Sequence, residues 1–327
     1  MVSSVVASVG DAALIPTAPA EQADGLELNS SNLRITTRAG QFVLKRWSEA
    51  VDSADAMRTV LLMDWLHGQG IVVPRPVRLG DAWVHEHEGR RWSLFAFVEG
   101  VWFSGRGDEA ESAAVWSGRL AQVLARVPAV LAPTLGPAHL SDADDALFAH
   151  MHEERRRWSD YLGSPSAAQL DAAWDRIHER WVQLRESPPA AGASRASHFD
   201  LHPRNLLMRG GKVVAILDFE SCRTMPVGYA MAFAGLKQGR QAVSAGGNAL
   251  DAARVGRQFL ERYRTAFPAT ATLDRVADLA AIEVLRRIAV ILRLNVEQRI
   301  SSWNAVLPVQ IAHLEEANVL FPRQTDL

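Results

Sequence analysis

The chain has 327 residues, 48% of them hydrophobic and 22% charged, which is enough to build a large core or two lobes. Its formal net charge of −2 excludes a broad electrostatic case for nucleic acid or an anionic membrane as partner. A lone cysteine, Cys222, excludes an intramolecular disulfide and a multi-cysteine zinc site, and fits a reducing compartment.

Residues 1–25 are small, rich in Pro and Ala, and weakly patterned. No Lys or Arg precedes Arg34, so the stretch lacks the basic start of a secretory signal, and no uninterrupted apolar run reaches membrane-spanning length. The expectation is a cytoplasmic protein with no membrane partner.

Residues 26–99 are predicted to form a small β-rich lobe. "NLRITTRAGQFVLKRW" alternates on both sides of Ala39-Gly40, as a hairpin does. In the next segment Met57, Leu61, Leu62, Trp65 and Leu66 recur at helical spacing, with Ser53 available as a cap and Gly68 and Gly70 as stops. "IVVPRPVRL", "AWVHEHEG" and "RRWSLFAFVEG" read as strands, the last two turning at Glu88-Gly89.

Beyond Gly100 the pattern becomes helical, over 108–127, 142–161, 166–186 and most of 226–321. Residues 187–197 are a loop of breakers. A third hairpin, "NLLMRGGKVVAILDF", turns at Arg209-Gly210-Gly211. The expected organisation is α+β: an N-lobe over 26–99 with one helix, and a larger, mostly helical C-lobe over 100–327 that carries an embedded hairpin.

That third hairpin concentrates the chemistry. Asn205 enters its first strand, Asp218 leaves its second, and a hairpin brings its open ends together. A carboxylate and an amide so placed suit a hard cation such as Mg²⁺, which keeps waters and phosphate oxygens as its other ligands. Asp200, five residues before Asn205 in "SHFDLHPRN", is a second carboxylate slightly apart, placed as a base at an acceptor hydroxyl would be. Phosphoryl transfer also needs a cation on the donor phosphates. Lys45, at the end of the apolar strand "FVLK", can supply it from the other lobe.

"HFDLHPRN" followed by "ILDFE", with "FVLK" upstream, resembles the aminoglycoside phosphotransferase and choline kinase family, the small-molecule branch of the protein-kinase-like fold. The resemblance spans roughly residues 26–320 and implies a bilobal kinase-like structure and an ATP- and Mg²⁺-dependent transfer to a hydroxyl of a small molecule. By it, Asp200 is the catalytic base, Asn205 and Asp218 are the Mg²⁺ ligands, and Lys45 holds the ATP phosphates. Ser30, Ser31 and Asn32 lie in the phosphate-covering loop, and the backbone of Phe97, Val98 and Glu99 lies at the adenine hinge.

Three positions depart from the family pattern. The N-lobe helix residue expected to pair with Lys45 is Thr59, with Asp55 one turn earlier as a substitute. The helix after the metal motif carries Ala230 where the family has an aspartate, so support for the catalytic loop must come from elsewhere. The phosphate loop has no glycine.

The competing explanations are weaker. Asp and Asn favour turns, but all three at this spacing beside a hairpin is poorly explained by turn chemistry. His198, Asp200 and His202 alternate as zinc ligands might, yet no Cys/His cluster completes the set and Pro203 ends the alternation; His198 is better read as bracing the loop. From another class of function, a nucleotide-binding regulatory pseudokinase is motivated by Thr59 and Ala230. For the acceptor, sugars, amino alcohols, choline-like amines and aminoglycosides all stay open, with a lean to the first two.

Overall fold

The structure is a computed structural model and describes residues 5, 14, 17, 21–22, 31–136 and 140–321. Most of the N-terminal segment 1–25, and Ser30, lie outside the described residues.

The smaller lobe is built on a six-stranded sheet. Its strands are β1 (Glu21–Gln22), β2 (Ser31–Thr37), β3 (Gly40–Arg46), β4 (Pro76–Val77), β5 (His85–His87) and β6 (Arg90–Ala96). They pair antiparallel in the order β1-β2-β3-β6-β4, with β5 against β6. The first hairpin closes through Thr37↔Gly40, so its two turn residues are Arg38 and Ala39. The second turns at Glu88-Gly89, both with positive φ (50° and 68°), the conformation that matches the twist of the flanking strands. "IVVPRPVRL" yields only β4, because prolines 74 and 76 have no N–H for a ladder.

Alternation along β3 sorts its side chains. Leu44, flanked by Leu33 and Leu94 in register, is fully buried in a small outer core with Ile35, Leu79 and Trp92. Lys45 falls on the opposite face. Helix α1 (Ser53–Gly68) packs its buried Ala56, Val60, Leu62, Met63 and Leu66 into the larger core, which runs on into the other lobe. Its cap is Asp52, whose carboxylate accepts from Asp55 N at 2.8 Å, and not Ser53.

After the hinge at 97–100, β7 (Val101–Trp102) pairs with β9 (Leu206–Arg209), and β9 pairs with β10 (Lys212–Ile216). The chain leaving the hinge is therefore anchored on the third hairpin. Gly100 permits the close approach: a Cβ there would lie 3.1 Å from both Leu207 Cβ and Met208 O. The hairpin turns at Gly210-Gly211, again both with positive φ (57° and 76°). A further pair, β8 (Ser194–His198) with β11 (Cys222–Pro226), brackets the catalytic-type loop and the "DFE" segment.

The larger lobe is helical: α2 (Gly107–Leu124), α3 (Asp142–Glu153), α4 (Trp158–Leu162), α5 (Ser164–Glu186), α6 (Val227–Ser244), α7 (Ala249–Ala266), α8 (Val276–Gln298) and α9 (Leu307–Leu320). The predicted helix 142–161 is broken after Glu153, where three consecutive arginines form a 3₁₀ turn and Arg155 reaches Asp171 and Asp175 on α5. Helices α2 and α7 meet backbone to side chain at Gly118. A Cβ there would lie 2.7 Å from both Tyr263 O and Ala266 Cβ. Gly118→Ala is expected to destabilise the fold by about 1–3 kcal/mol through overpacking, read as a lower denaturation midpoint at unchanged m-value.

Candidate active site

Five side chains that the sequence scatters meet between the lobes. Asp200, Asn205 and Asp218 come from the larger lobe, Lys45 from β3, and Glu220 from the segment just after Asp218. The two hairpin ends are joined directly: Leu217 N donates to Asn205 O at 2.9 Å. The strand before Asp218 is tied to the smaller lobe, Ile216 N donating to Val72 O at 2.7 Å.

Asn205 donates through its amide to Asp200 O at 2.8 Å and also hydrogen-bonds the Asp218 carboxylate. Its donor end is thus engaged inside the protein, and its oxygen is the end suited to a cation. Asp218 sits in the left-handed region (φ 61°, ψ 57°), a sparsely used conformation for a residue other than glycine. Burial raises its carboxyl above the usual carboxylate range, Glu220 and Asp200 add to the rise, and Lys45 opposes it. A buried carboxylate crowded by two others, beside an amide oxygen, is a donor set that fits a hard divalent cation completed by phosphate oxygens and water. No group of three or more His, Cys, Asp or Glu side chains able to hold a metal occurs among the described residues, which is against the zinc reading.

Asp200 behaves differently. Burial would raise its carboxyl, but Arg287, His202, Lys237 and His198 outweigh that and hold it below the usual range, so it is ionised near neutral pH. The Arg287 guanidinium lies 3.2 Å from Oδ1, which is buried against it, so the 23% of the side chain that stays accessible leaves Oδ2 to face an incoming hydroxyl. His202 Nε2 lies 3.6 Å from Oδ2. Its Nδ1 accepts from Arg204 N, and burial pushes the ring down to about 4, so it is a neutral neighbour with its proton on Nε2. His198 braces the loop: its Nε2 meets Leu217 O at 2.7 Å, and burial keeps the ring neutral.

The two departures at Thr59 and Ala230 are answered from other elements. Lys45 forms its ion pair with Glu220, while Asp55, the suggested substitute, pairs with Arg58. Thr59 donates its hydroxyl to Asp55 O within the helix. Ala230 is buried on α6 with no side chain to offer the loop. In its stead Arg287 of α8 donates to Phe199 O at 3.3 Å, and Gln238 of α6 donates to Leu201 O at 3.3 Å. Glu283, fully buried one turn before Arg287, accepts from Arg287 Nε at 2.7 Å and fixes the guanidinium.

The remaining predicted residues lie on the smaller lobe and the inter-lobe segment. Asn32 is directly opposite Lys45 in the β2–β3 register, on the same face of the sheet, and Ser31 precedes it at the start of β2. Phe97, Val98 and Glu99 form the inter-lobe segment between β6 and β7. Phe97 N is already committed to Gln41 O at 3.1 Å, and its ring lies under the Arg34 guanidinium at 4.3 Å, so a hinge contact to a base falls to the backbone of Val98 and Glu99. A cavity of about 740 Å³ between α5 and α9 is lined by none of these residues.

Glu220, Arg287 and Lys237 were not among the predicted site residues. Each left a trace in the sequence: an acid adjoining the Asp-Phe pair, and charges at 283, 286, 287 and 237 interrupting otherwise apolar helical runs.

The phosphotransferase enzyme family model matches residues 21–285. The chain belongs to that family. Among curated relatives, the homoserine kinase of Chelativorans sp. (strain BNC1) is 27% identical over 205 residues, covering 60% of this chain and 56% of that protein. The homoserine kinase of Gluconacetobacter diazotrophicus is 31% identical over 214 residues, covering 64% and 61%. The chain thus spans well under two thirds of the length of these relatives. A crystal structure of a spectinomycin phosphotransferase with ADP and spectinomycin aligns with a TM-score of 0.65 at 14% identity, covering 93% of this chain and 92% of that one. The bilobal architecture of this family member is therefore that of the aminoglycoside phosphotransferase-like fold. No described helix is long and apolar enough to cross a membrane.

Proposed function

We propose that this phosphotransferase-family protein transfers the terminal phosphoryl group of Mg²⁺-bound ATP to a hydroxyl of a small molecule. What carries the reading is the meeting of an ionised, partly accessible Asp200 with the Asn205–Asp218 pair and a cross-lobe lysine. Lys45 leaves Glu220 for the donor phosphates, and Asn32 and the start of β2 cover them. Mg²⁺ at Asn205 and Asp218 would offset the charge on the transferring group. Asp200 orients the acceptor hydroxyl through its accessible oxygen, Oδ2, and takes its proton. The acceptor oxygen bonds to the γ-phosphorus as the bond to the bridging oxygen breaks, and ADP departs with that electron pair. Val98 and Glu99 present their backbone to the base.

The acceptor we favour is a metabolite, an amino alcohol or a sugar, in line with the relatives named homoserine kinase. The pseudokinase alternative drew on Thr59 and Ala230, and both positions have working substitutes in Glu220 and Arg287. The experiment is ADP formation from Mg-ATP over amino alcohols, sugars, choline and aminoglycosides. Turnover with an amino alcohol or sugar is the expected result. ATP binding with no turnover on any acceptor is the pseudokinase result.

A further inference from the structure

Three helices converge beneath Asp200, and their charges do not balance. Arg287 and Arg286 of α8 share Glu283, at 2.7 and 3.0 Å. Arg240 of α6 pairs with Glu316 of α9 at 3.2 Å, and Arg287 also faces Asp200. Lys237 of α6 forms no ion pair among the described residues; its ammonium lies 5.3 Å from the centre of the Phe233 ring. His313 of α9 adds no charge, since burial beside these cations pushes it down to about 2. Four cations thus face three carboxylates, and the ammonium of Lys237 is the one left over.

The identity of that cation is informative. The chain has only three lysines, Lys45, Lys212 and Lys237, and arginine fills every other basic position. Lys212 is exposed beside a hairpin turn. The other two flank the candidate site, one from each lobe. A lysine ammonium is a compact charge that can meet a small anion without a planar fork. Burial, Arg287 and Arg240 push Lys237 down to about 8, while Asp200 and Glu316 oppose them, so its surroundings favour an added negative charge. Arg287 and Asp200 keep 25% and 23% of their side chains accessible, so the cluster opens where an acceptor hydroxyl must lie.

We infer that the acceptor carries a carboxylate near its reacting hydroxyl, and that Lys237 is the residue that binds it, backed by Arg287. A single carboxylate matches the single surplus charge. A polycationic acceptor meets repulsion at the same place. The inference rests on the phosphoryl-transfer reading above and narrows its acceptor class to hydroxy acids, including hydroxy amino acids.

Matched pairs test it on the wild-type protein. L-Homoserine, L-serine, L-threonine and D-glycerate are compared with 3-amino-1-propanol, ethanolamine, 1-amino-2-propanol and glycerol, which lack the carboxylate. Mg-ATP binding is followed in the same samples by thermal shift. The expected result is ADP formation with at least one acid and a kcat/KM about 10- to 100-fold above that of its counterpart. Lys237→Met is then expected to raise KM for that acid about 10-fold or more, to leave KM for ATP nearly unchanged, and to shrink the preference over the counterpart that lacks the carboxylate. Phosphorylation of the counterparts as readily as the acids, or turnover with none of the acids in a protein that still binds Mg-ATP, overturns the inference while leaving phosphoryl transfer standing. Absence of both binding and turnover defeats the phosphotransferase reading and this inference with it. Should the variant fail to fold, the wild-type pairs decide.

Discussion

Asp200→Asn is expected to lower turnover by about 10²–10⁴-fold while leaving Mg-ATP affinity close to that of the wild type. The substitution keeps the size and planarity of the side chain but removes its charge and its capacity to take a proton. Asp200 reaches the site from the loop before Asn205, and the contact that holds Asn205 in place uses the backbone carbonyl of Asp200, not its carboxylate. The metal-type donor pair should therefore survive. Arg287 would lose an anionic partner but keep Glu283 and Phe199 O, so the loop should not collapse. Single-turnover kinetics with a thermal-shift control separates the outcomes. A variant with wild-type turnover would remove Asp200 from the reaction, and a variant that also loses Mg-ATP would place it on the nucleotide side.

How much of this site could be read from the chain follows from where its determinants lie. Asp200, Asn205 and Asp218 were legible because two hairpin ends and a short loop bring them together, and those are local structures with strong turn signals at Gly210-Gly211. The face of β3 on which Lys45 lies followed from strand alternation. The partner of Lys45 was not. Helical register pointed to Thr59 or Asp55, but which acid reaches across the cleft is fixed by how the lobes pack, and it is Glu220. The support that replaces Ala230 comes from Arg287, far away in sequence, so no local pattern could tie it to the loop. The same limit applies to the fold. The hairpins and long helices carry period-2 and period-3.6 patterns, and both lobes followed from them. Strands β8 and β11 did not: "SRASH" is polar and short, and becomes a strand only by pairing with "CRTMP". The apolar spacing of 142–161 runs on without interruption and hides the break that Arg155 makes by turning toward Asp171 and Asp175.

Asp218→Asn should abolish the Mg²⁺ dependence of ATP binding and, in the absence of nucleotide, stabilise the protein. Both effects come from one charge. The Asp218 carboxylate is buried, with Glu220 and Asp200 acting on it unfavourably, and Lys45 and the Asn205 amide oppose them without cancelling the rise. A carboxyl whose folded-state pKa is raised above its unfolded value makes the folded state less stable once pH exceeds the unfolded value, so ionised Asp218 works against folding near neutral pH. Removing its charge relieves that repulsion, and asparagine tolerates the left-handed backbone at this position (φ 61°). Asp218→Ala loses the same charge but adds a strain of about 1–2 kcal/mol, so the alanine variant should be the less stable of the two. Removing the carboxylate also leaves only two neutral amide oxygens at the pair, too little charge to hold a divalent cation against water. The expected result is a higher melting temperature for Asp218→Asn without ligand, and an ATP affinity equal with and without Mg²⁺. A variant that keeps Mg²⁺-dependent binding would move the metal site away from the hairpin end. A destabilised asparagine variant would mean that the carboxylate is held by attraction rather than tolerated, as a structural ion pair with Lys45 would be; sites built to bind charge pay in stability for it, and a purely structural pair does not.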